Sequence, residues 1–160
     1  MTEMELYRKL WDREQGKFER MFDAVPSERV DYRPHPKSRS AAEMVTLLAR
    51  EQEMLEKMFD SGELDFREFG ADPLDEMRAL WKKSTNGLKE RLQKLDDAAW
   101  NRPVKFRLGG KVANEQPANQ WLWAFLHDMI HHRGQLSTYI RPMGGKVPSV
   151  YGPSGDAPPA

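Results

Sequence analysis

The stretch His127-Asp128-Met129-Ile130-His131-His132-Arg133-Gly134-Gln135 decides how the rest of this chain is read. It holds three of the four histidines, inside a run that has helical periodicity from about Pro117 to Arg141 and is ended by Pro142. Residues four apart share a helix face, so His127 pairs with His131, Asp128 pairs with His132, and Gln135 extends the second face. Either pair offers two donors suited to Zn²⁺, Ni²⁺ or Fe²⁺. In a bundle, a facing helix completes such a site. Histidines at this spacing also serve simply to bond carbonyls or to pack, here against Trp123 and Tyr139. The remaining histidine, His35, lies between Pro34 and Pro36, where regular helix is forbidden.

Working outward, three more long segments repeat apolar residues at helical spacing. The first runs from about Glu3 to Val25, with Leu6, Leu10, Phe18, Met21 and Phe22 on one face, and Pro26 closes it. The second opens on Ser40-Ala-Ala-Glu43, a capping box in which hydroxyl and carboxylate satisfy each other's backbone N–H, and runs to about Asp60 before Ser61-Gly62. The third is expected to start with Asp72 as N-cap and Pro73 in the first turn, and to run to about Asp96 across Asn86-Gly87. Between Asn101 and Pro117 the pattern alternates instead. Val104–Leu108 and Lys111–Ala113 flank Gly109-Gly110 as a small hairpin. The fold class is therefore all-α: a four-helix bundle with a short hairpin or irregular insert between its third and fourth helices. Residues 1–145 are expected to form one helical domain, followed by a Pro/Gly/Ser-rich tail over 146–160.

Composition excludes several alternatives. The 25 basic and 25 acidic residues cancel, leaving no basic stripe for nucleic acid or a membrane surface. With no cysteine, thiolate ligands and a cysteine nucleophile are ruled out. No signal-like start, membrane-length apolar run, phosphate-loop motif or serine-hydrolase elbow is present. A soluble cytoplasmic protein acting on a small molecule is the expectation.

No second helix carries histidine, so a third ligand must be a carboxylate. Glu51 is the best placed, one turn after Leu47 and on its face, whereas Glu53 and Glu56 turn away. Taken alone, Glu51 reads first as an ordinary solvated helix charge.

The run Ile130-His-His-Arg-Gly-Gln-Leu-Ser-Thr-Tyr-Ile-Arg-Pro-Met-Gly-Gly145, followed by Val147-Pro148 and Tyr151-Gly-Pro153, resembles the C-terminal signature of the DinB-like superfamily. Arg39-Ser-Ala-Ala-Glu43 at the start of the second helix extends the resemblance. It implies a four-helix bundle holding a divalent metal with three histidines, one on helix two and two on the last long helix. Relatives of this kind include thiol-dependent S-transferases and a maleylpyruvate isomerase, so a low-molecular-weight thiol is an implied cofactor. On the family pattern the last ligand falls on His132, the ligand before it on Asp128, and the helix-two histidine on Leu47. Two of the three imidazoles are absent. Asp128 can still ligate and Glu51 can substitute for the missing partner, making a harder site, weaker for Zn²⁺ than three histidines.

His127 and His131 leave the ligand face and are expected to pack or support the site. Arg133 and Arg141 either bind an anionic substrate group or make salt bridges within the bundle, and the second is favoured. Gly134 is expected to permit close helix approach, Gln135 to hydrogen-bond a neighbouring helix, and Tyr139 and Tyr151 to pack or donate to substrate. Trp121 and Trp123 cannot share a face, so one should meet a loop or a partner subunit. Two readings follow. One is a metal-dependent, thiol-using transferase. The other is a non-catalytic bundle, a homodimer or small-ligand module, whose metal site has decayed at Leu47.

Overall fold

The computed structural model describes residues 1–158, so the last two residues of the expected tail lie outside it. Four long helices and a small sheet follow in the order α1 (Glu3–Asp23), α2 (Ala41–Ser61), β1 (Glu63–Phe66), α3 (Leu74–Lys94), α4 (Asp97–Asn101), β2 (Pro103–Leu108), β3 (Lys111–Pro117) and α5 (Ala118–Ile140). The helical bundle read from the periodicity is present, and Asn86-Gly87 does not interrupt α3.

Helix ends follow local chemistry. At the start of α1, Glu5 N donates to Thr2 Oγ1 and Thr2 N to Glu5 Oε2. The capping box expected at α2 forms: Glu43 N donates to Ser40 Oγ at 3.2 Å and Ser40 N to Glu43 Oε2 at 2.6 Å. The next two free N–H groups, of Ala41 and Ala42, donate to Tyr32 O and Val30 O in the preceding loop. That loop is thereby tied to the mouth of α2. Gly62 ends α2 in the left-handed conformation with φ 71°. The start of α3 departs from expectation. Pro73 is the N-cap, and no side chain caps it. Asp72 is drawn away instead, its N–H to Thr46 Oγ1 and its carboxylate to Arg50.

The insert is more extensive than a short hairpin. β2 and β3 pair antiparallel through Gly109-Gly110, whose φ values of 58° and 80° are those of a two-residue turn that glycine adopts without strain. β1 adds to β2 in parallel, Glu63 opposite Lys105 through Phe66 opposite Leu108. The pairing is clamped by Arg107, which donates to both carboxylate oxygens of Glu63 at 2.8 and 2.9 Å. The sheet docks on the start of α5, where Trp121 stacks on Phe106 and its indole donates to Val104 O at 3.0 Å. Trp123 turns to α1, meeting Tyr7 edge-on and donating to Glu3. The two tryptophans thus divide between the hairpin and α1.

The core is continuous from Tyr7, Trp11 and Phe18 of α1, through Leu47, Leu48 and Leu55 of α2 and Trp81 and Leu88 of α3, to Leu122, Met129 and Leu136 of α5. A buried polar layer interrupts it. Gln52 Nε2 donates to Thr85 Oγ1 and Gln15 Oε1, joining α1, α2 and α3. Beyond α5 the described part of the tail has no helix or strand, and it returns across α1 and α5.

Candidate metal centre

α2 and α5 lie against each other, and their facing surfaces set the site. On α2, Leu47 is 1% exposed, a plain core residue. One turn later Glu51 is 2% exposed, held in the same apolar face. On α5, Met129, Arg133 and Leu136 face the core, so Asp128, His132 and Gln135 fall at its edge. Glu51, Asp128 and His132 meet there, with one ligand atom of each within 4.8 Å of the others.

Each member is held by identifiable contacts. His132 Nε2 lies 3.3 Å from Asp128 Oδ2. Its Nδ1 lies 2.9 Å from Gln135 Oε1, while Gln135 Nε2 lies 2.8 Å from His131 Nε2. In this amide orientation Gln135 Nε2 donates to His131 and its oxygen accepts from His132 Nδ1–H. That leaves Nε2 of His132 turned toward the two carboxylates. Glu51 Oε2 is buried and has no hydrogen-bond partner. A carboxylate oxygen in that condition is costly unless neutralised by a proton or a cation.

The protonation states follow. Burial first, and then the neighbouring Asp128 charge, pushes the Glu51 carboxyl up to about 8. Asp128 is held below its ordinary value chiefly by its hydrogen bond to His132. His132 is raised, chiefly by the same bond. Free of metal at neutral pH, Glu51 keeps its proton beside an Asp128 carboxylate paired with His132. Deprotonated, the trio is two carboxylates and a neutral imidazole, a donor set and charge suited to one divalent cation. The residues therefore fit such an ion, with harder donors than three imidazoles.

The other candidate residues are placed elsewhere. His127 is exposed and stacks on Trp123 at 5.8 Å. His131 is joined to the trio by Gln135 and by its ring, whose centroid lies 5.4 Å from that of His132. Gln135 was expected to bond a neighbouring helix, but it bonds two histidines of its own helix, because it sits at the exposed edge of α5. Gly134 was expected to admit a neighbour, yet nothing lies within 4 Å of where its Cβ would be. The close approaches occur at Gly145 and Gly87. Arg133 is 2% exposed and pairs with Glu14 at 2.7 Å, with Tyr151 hydrogen-bonded to both, so it does not face the trio. Arg141 pairs with Asp156. Tyr139 donates to Arg39 O at 3.1 Å.

One feature of the site was missed from sequence. A cleft of about 300 Å³ adjoins the trio, lined by Ser38, Arg39, Met44, Gln135, Thr138 and Tyr139 among others. Gln135 belongs to both. The Pro-rich loop gave no local signal of this, because its position depends on the bonds from Ala41 and Ala42.

Fold and site together define a class: a helical bundle with a candidate carboxylate–histidine metal centre between two of its helices. The chain belongs to the DinB family, whose model matches residues 1–158. Its fold is similar to that of a DinB-like protein from Bacillus cereus, at 17% identity and a TM-score of 0.73, over 91% of this chain and 95% of that one. It is also similar to a DinB-like protein from Bacillus subtilis, at 18% identity and a TM-score of 0.67, over 87% and 92% of the two chains. A mycothiol-dependent maleylpyruvate isomerase shares the fold at 12% identity and a TM-score of 0.59, and this chain covers 62% of that protein. No curated protein matches the sequence.

Proposed function

We propose that this DinB-family protein binds one divalent metal ion through Glu51, Asp128 and His132, and uses it in thiol-dependent transfer chemistry on a small molecule. The observation that carries the reading is the buried, unpartnered Oε2 of Glu51 facing a histidine and a second carboxylate. The thiol is suggested by the mycothiol dependence of the structurally similar isomerase. When bound, such an ion lowers the pKa of a coordinated thiol or water, making a nucleophile available at neutral pH. The chain's own residues have defined tasks. Gln135 holds the His132 ring with Nε2 directed inward. Asp128 keeps the imidazole close and stays ionised beside it. Glu51 supplies a charge that exists only once its proton has left, and its apolar surroundings on α2 keep water from substituting for the ligand.

Calorimetric titration with Zn²⁺, Ni²⁺ and Fe²⁺ of protein without a histidine tag tests this. One equivalent should bind, with proton release. E51Q and H132A should each weaken binding by more than the roughly 10–100-fold that loss of an outer-shell partner costs. Failure of all three metals to bind the wild type would sink the proposal.

A second reading is favoured by Leu47, which fills with core hydrocarbon the position where the family resemblance implies an imidazole. In that reading the protein is a non-catalytic bundle, a homodimer or a small-ligand module. It requires a melting temperature indifferent to chelator, because a metal bound only by the native state would stabilise that state.

A further inference from the structure

Arg39 stands at the end of the Pro-rich loop, immediately before the cap of α2. It is half-buried and lines the cleft beside the trio. Its carbonyl is used by Tyr139, but among the described residues its guanidinium makes no hydrogen bond or ion pair. This sets it apart from the two nearest arginines. Arg33 pairs with Glu43 and Arg50 with Asp72 and Glu53. A guanidinium carries five donors in a planar fork; none of those of Arg39 is buried and unsatisfied, so they stand open at the cleft for a ligand that matches the fork.

The surroundings narrow that ligand. Arg39 is the sole charged group lining the cleft of about 300 Å³, whose remaining walls offer Met44 and the Tyr139 ring on one hand, and Ser38, Thr138 and Gln135 on the other. One cation with an apolar wall suits one monoanionic group on a short hydrocarbon body. The same arginine also lines a wider depression, where Arg33 and Lys37 are balanced by Glu43 and Glu68, so the unbalanced positive charge there is that of Arg39 alone. The far end of the cleft is Gln135, in contact with His132. Arg39 is also near enough to Glu51 for its charge to act on that carboxyl. An anion held on Arg39 therefore directs its other end toward the trio.

We propose that Arg39 is the substrate anchor of this protein and that the substrate class is a small carboxylic acid, bound bidentate by the guanidinium with its body over Met44 and Tyr139. The assignment rests on reading the trio as the chemical centre, because only then does the orientation of the bound acid matter. Arg39 here is a binding residue. It takes no part in bond making.

The test is an NMR titration of the metal-free full chain with sodium butyrate, butyramide and inorganic phosphate, following the Arg39 Nε–H and the Gln135 side-chain amide. Butyrate should shift both signals saturably and butyramide should not. R39Q should weaken butyrate by about tenfold or more, the loss expected from a charge-assisted bidentate contact. K37Q, which removes a charge from the outer depression and does not line the cleft, should bind as wild type does. Because the Arg39 side chain has no protein partner, R39Q should keep the wild-type melting temperature, and its circular dichroism spectrum checks that the fold is retained. Equal butyrate shifts in R39Q and wild type would overturn the assignment, as would shifts that never saturate. Phosphate saturating the same signals more tightly than butyrate would overturn the carboxylate class. The metal titration above is separate: failure there with butyrate binding intact removes the metal reading alone, and the reverse removes only the anchor.

Discussion

Glu51 and Glu14 are both carboxylates inside the bundle, and they respond to pH in opposite directions. Glu51 is raised to about 8 by burial and by Asp128, so between the ordinary value of 4.5 and about 8 the folded chain holds a proton that the unfolded chain has lost. Its stabilising contribution is full below 4.5 and disappears as pH rises through about 8. Thermal melts of metal-free protein should fall across that window, and E51Q should flatten the alkaline limb. An unchanged limb would mean that Glu51 is ionised in the apo fold. Glu14 behaves conversely. Burial raises it, but hydrogen bonds from Lys17, Arg133 and Tyr151 together bring it below 4.5. Its contribution is present above 4.5 and is lost as pH falls through the depressed value. Metal binding depends on the same Glu51 proton in the opposite sense. Affinity should climb with pH as Glu51 and His132 give up protons, and Q135L should lower it by roughly 10–100-fold through loss of ring orientation.

Among the elements, two glycines near the end of α5 carry opposite expectations. Gly134 has open space at its Cβ position, so G134A should raise stability by about 1 kcal/mol through helix propensity. At Gly145 a Cβ would come within 2.9 Å of Ile140 Cγ2 and 3.1 Å of Ala24 O, where the chain folds back on α1. G145A should therefore cost about 1–3 kcal/mol by overpacking. Chemical denaturation of both variants measures the pair, and a G134A that destabilises would reveal a packing role absent from this structure. S40A removes one half of the capping box and should cost about 1 kcal/mol. Because the same turn anchors the loop that carries Arg39, it should also loosen the cleft.

At the scale of the whole molecule, the pair between Glu14 and Arg133 joins the first and last long helices, and Tyr151 of the tail closes over it. Arg133 also lies 4.5 Å from the centre of the Phe18 ring, so its charge is enclosed by aromatic carbon. Removing one partner strands the other. E14Q should cost about 3 kcal/mol, whereas E14Q with R133M should recover most of that loss, since a buried pair is often replaceable by hydrocarbon. A double variant no more stable than E14Q would mean that the guanidinium contributes through its contacts with Phe18 and Tyr151 rather than through Glu14. Of the two readings of Arg133, the salt bridge within the bundle is the one its surroundings serve. Among the described residues, the guanidinium that lines the cleft beside the trio is that of Arg39, on a loop.

What the sequence determined by itself is whatever depends on near neighbours along the chain. Apolar spacing of three and four residues specifies α1, α2, α3 and α5. Ser40 with Glu43 marks a helix start, and Gly109-Gly110 marks a two-residue turn. Asp128 with His132, and Glu51 in register with Leu47, are likewise face arithmetic on single helices, although choosing that histidine pair over His127 and His131 needed the family motif. Tertiary structure decided what depends on partners far apart. β1 is four residues of mixed polarity, and it becomes a strand only because β2 offers a free edge and Arg107 closes on Glu63. Trp121 and Trp123 were divided by the docking of the hairpin and α1, the N-cap of α3 by Arg50 and Thr46, and the partner of Arg133 by the packing of α1 on α5. The opening stretch changed in the same way. Its spacing could say which side chains share a face of α5. Only the packing of α2 against that face put a buried carboxyl with an unpartnered oxygen opposite His132, because desolvation and charge are properties of the assembled bundle.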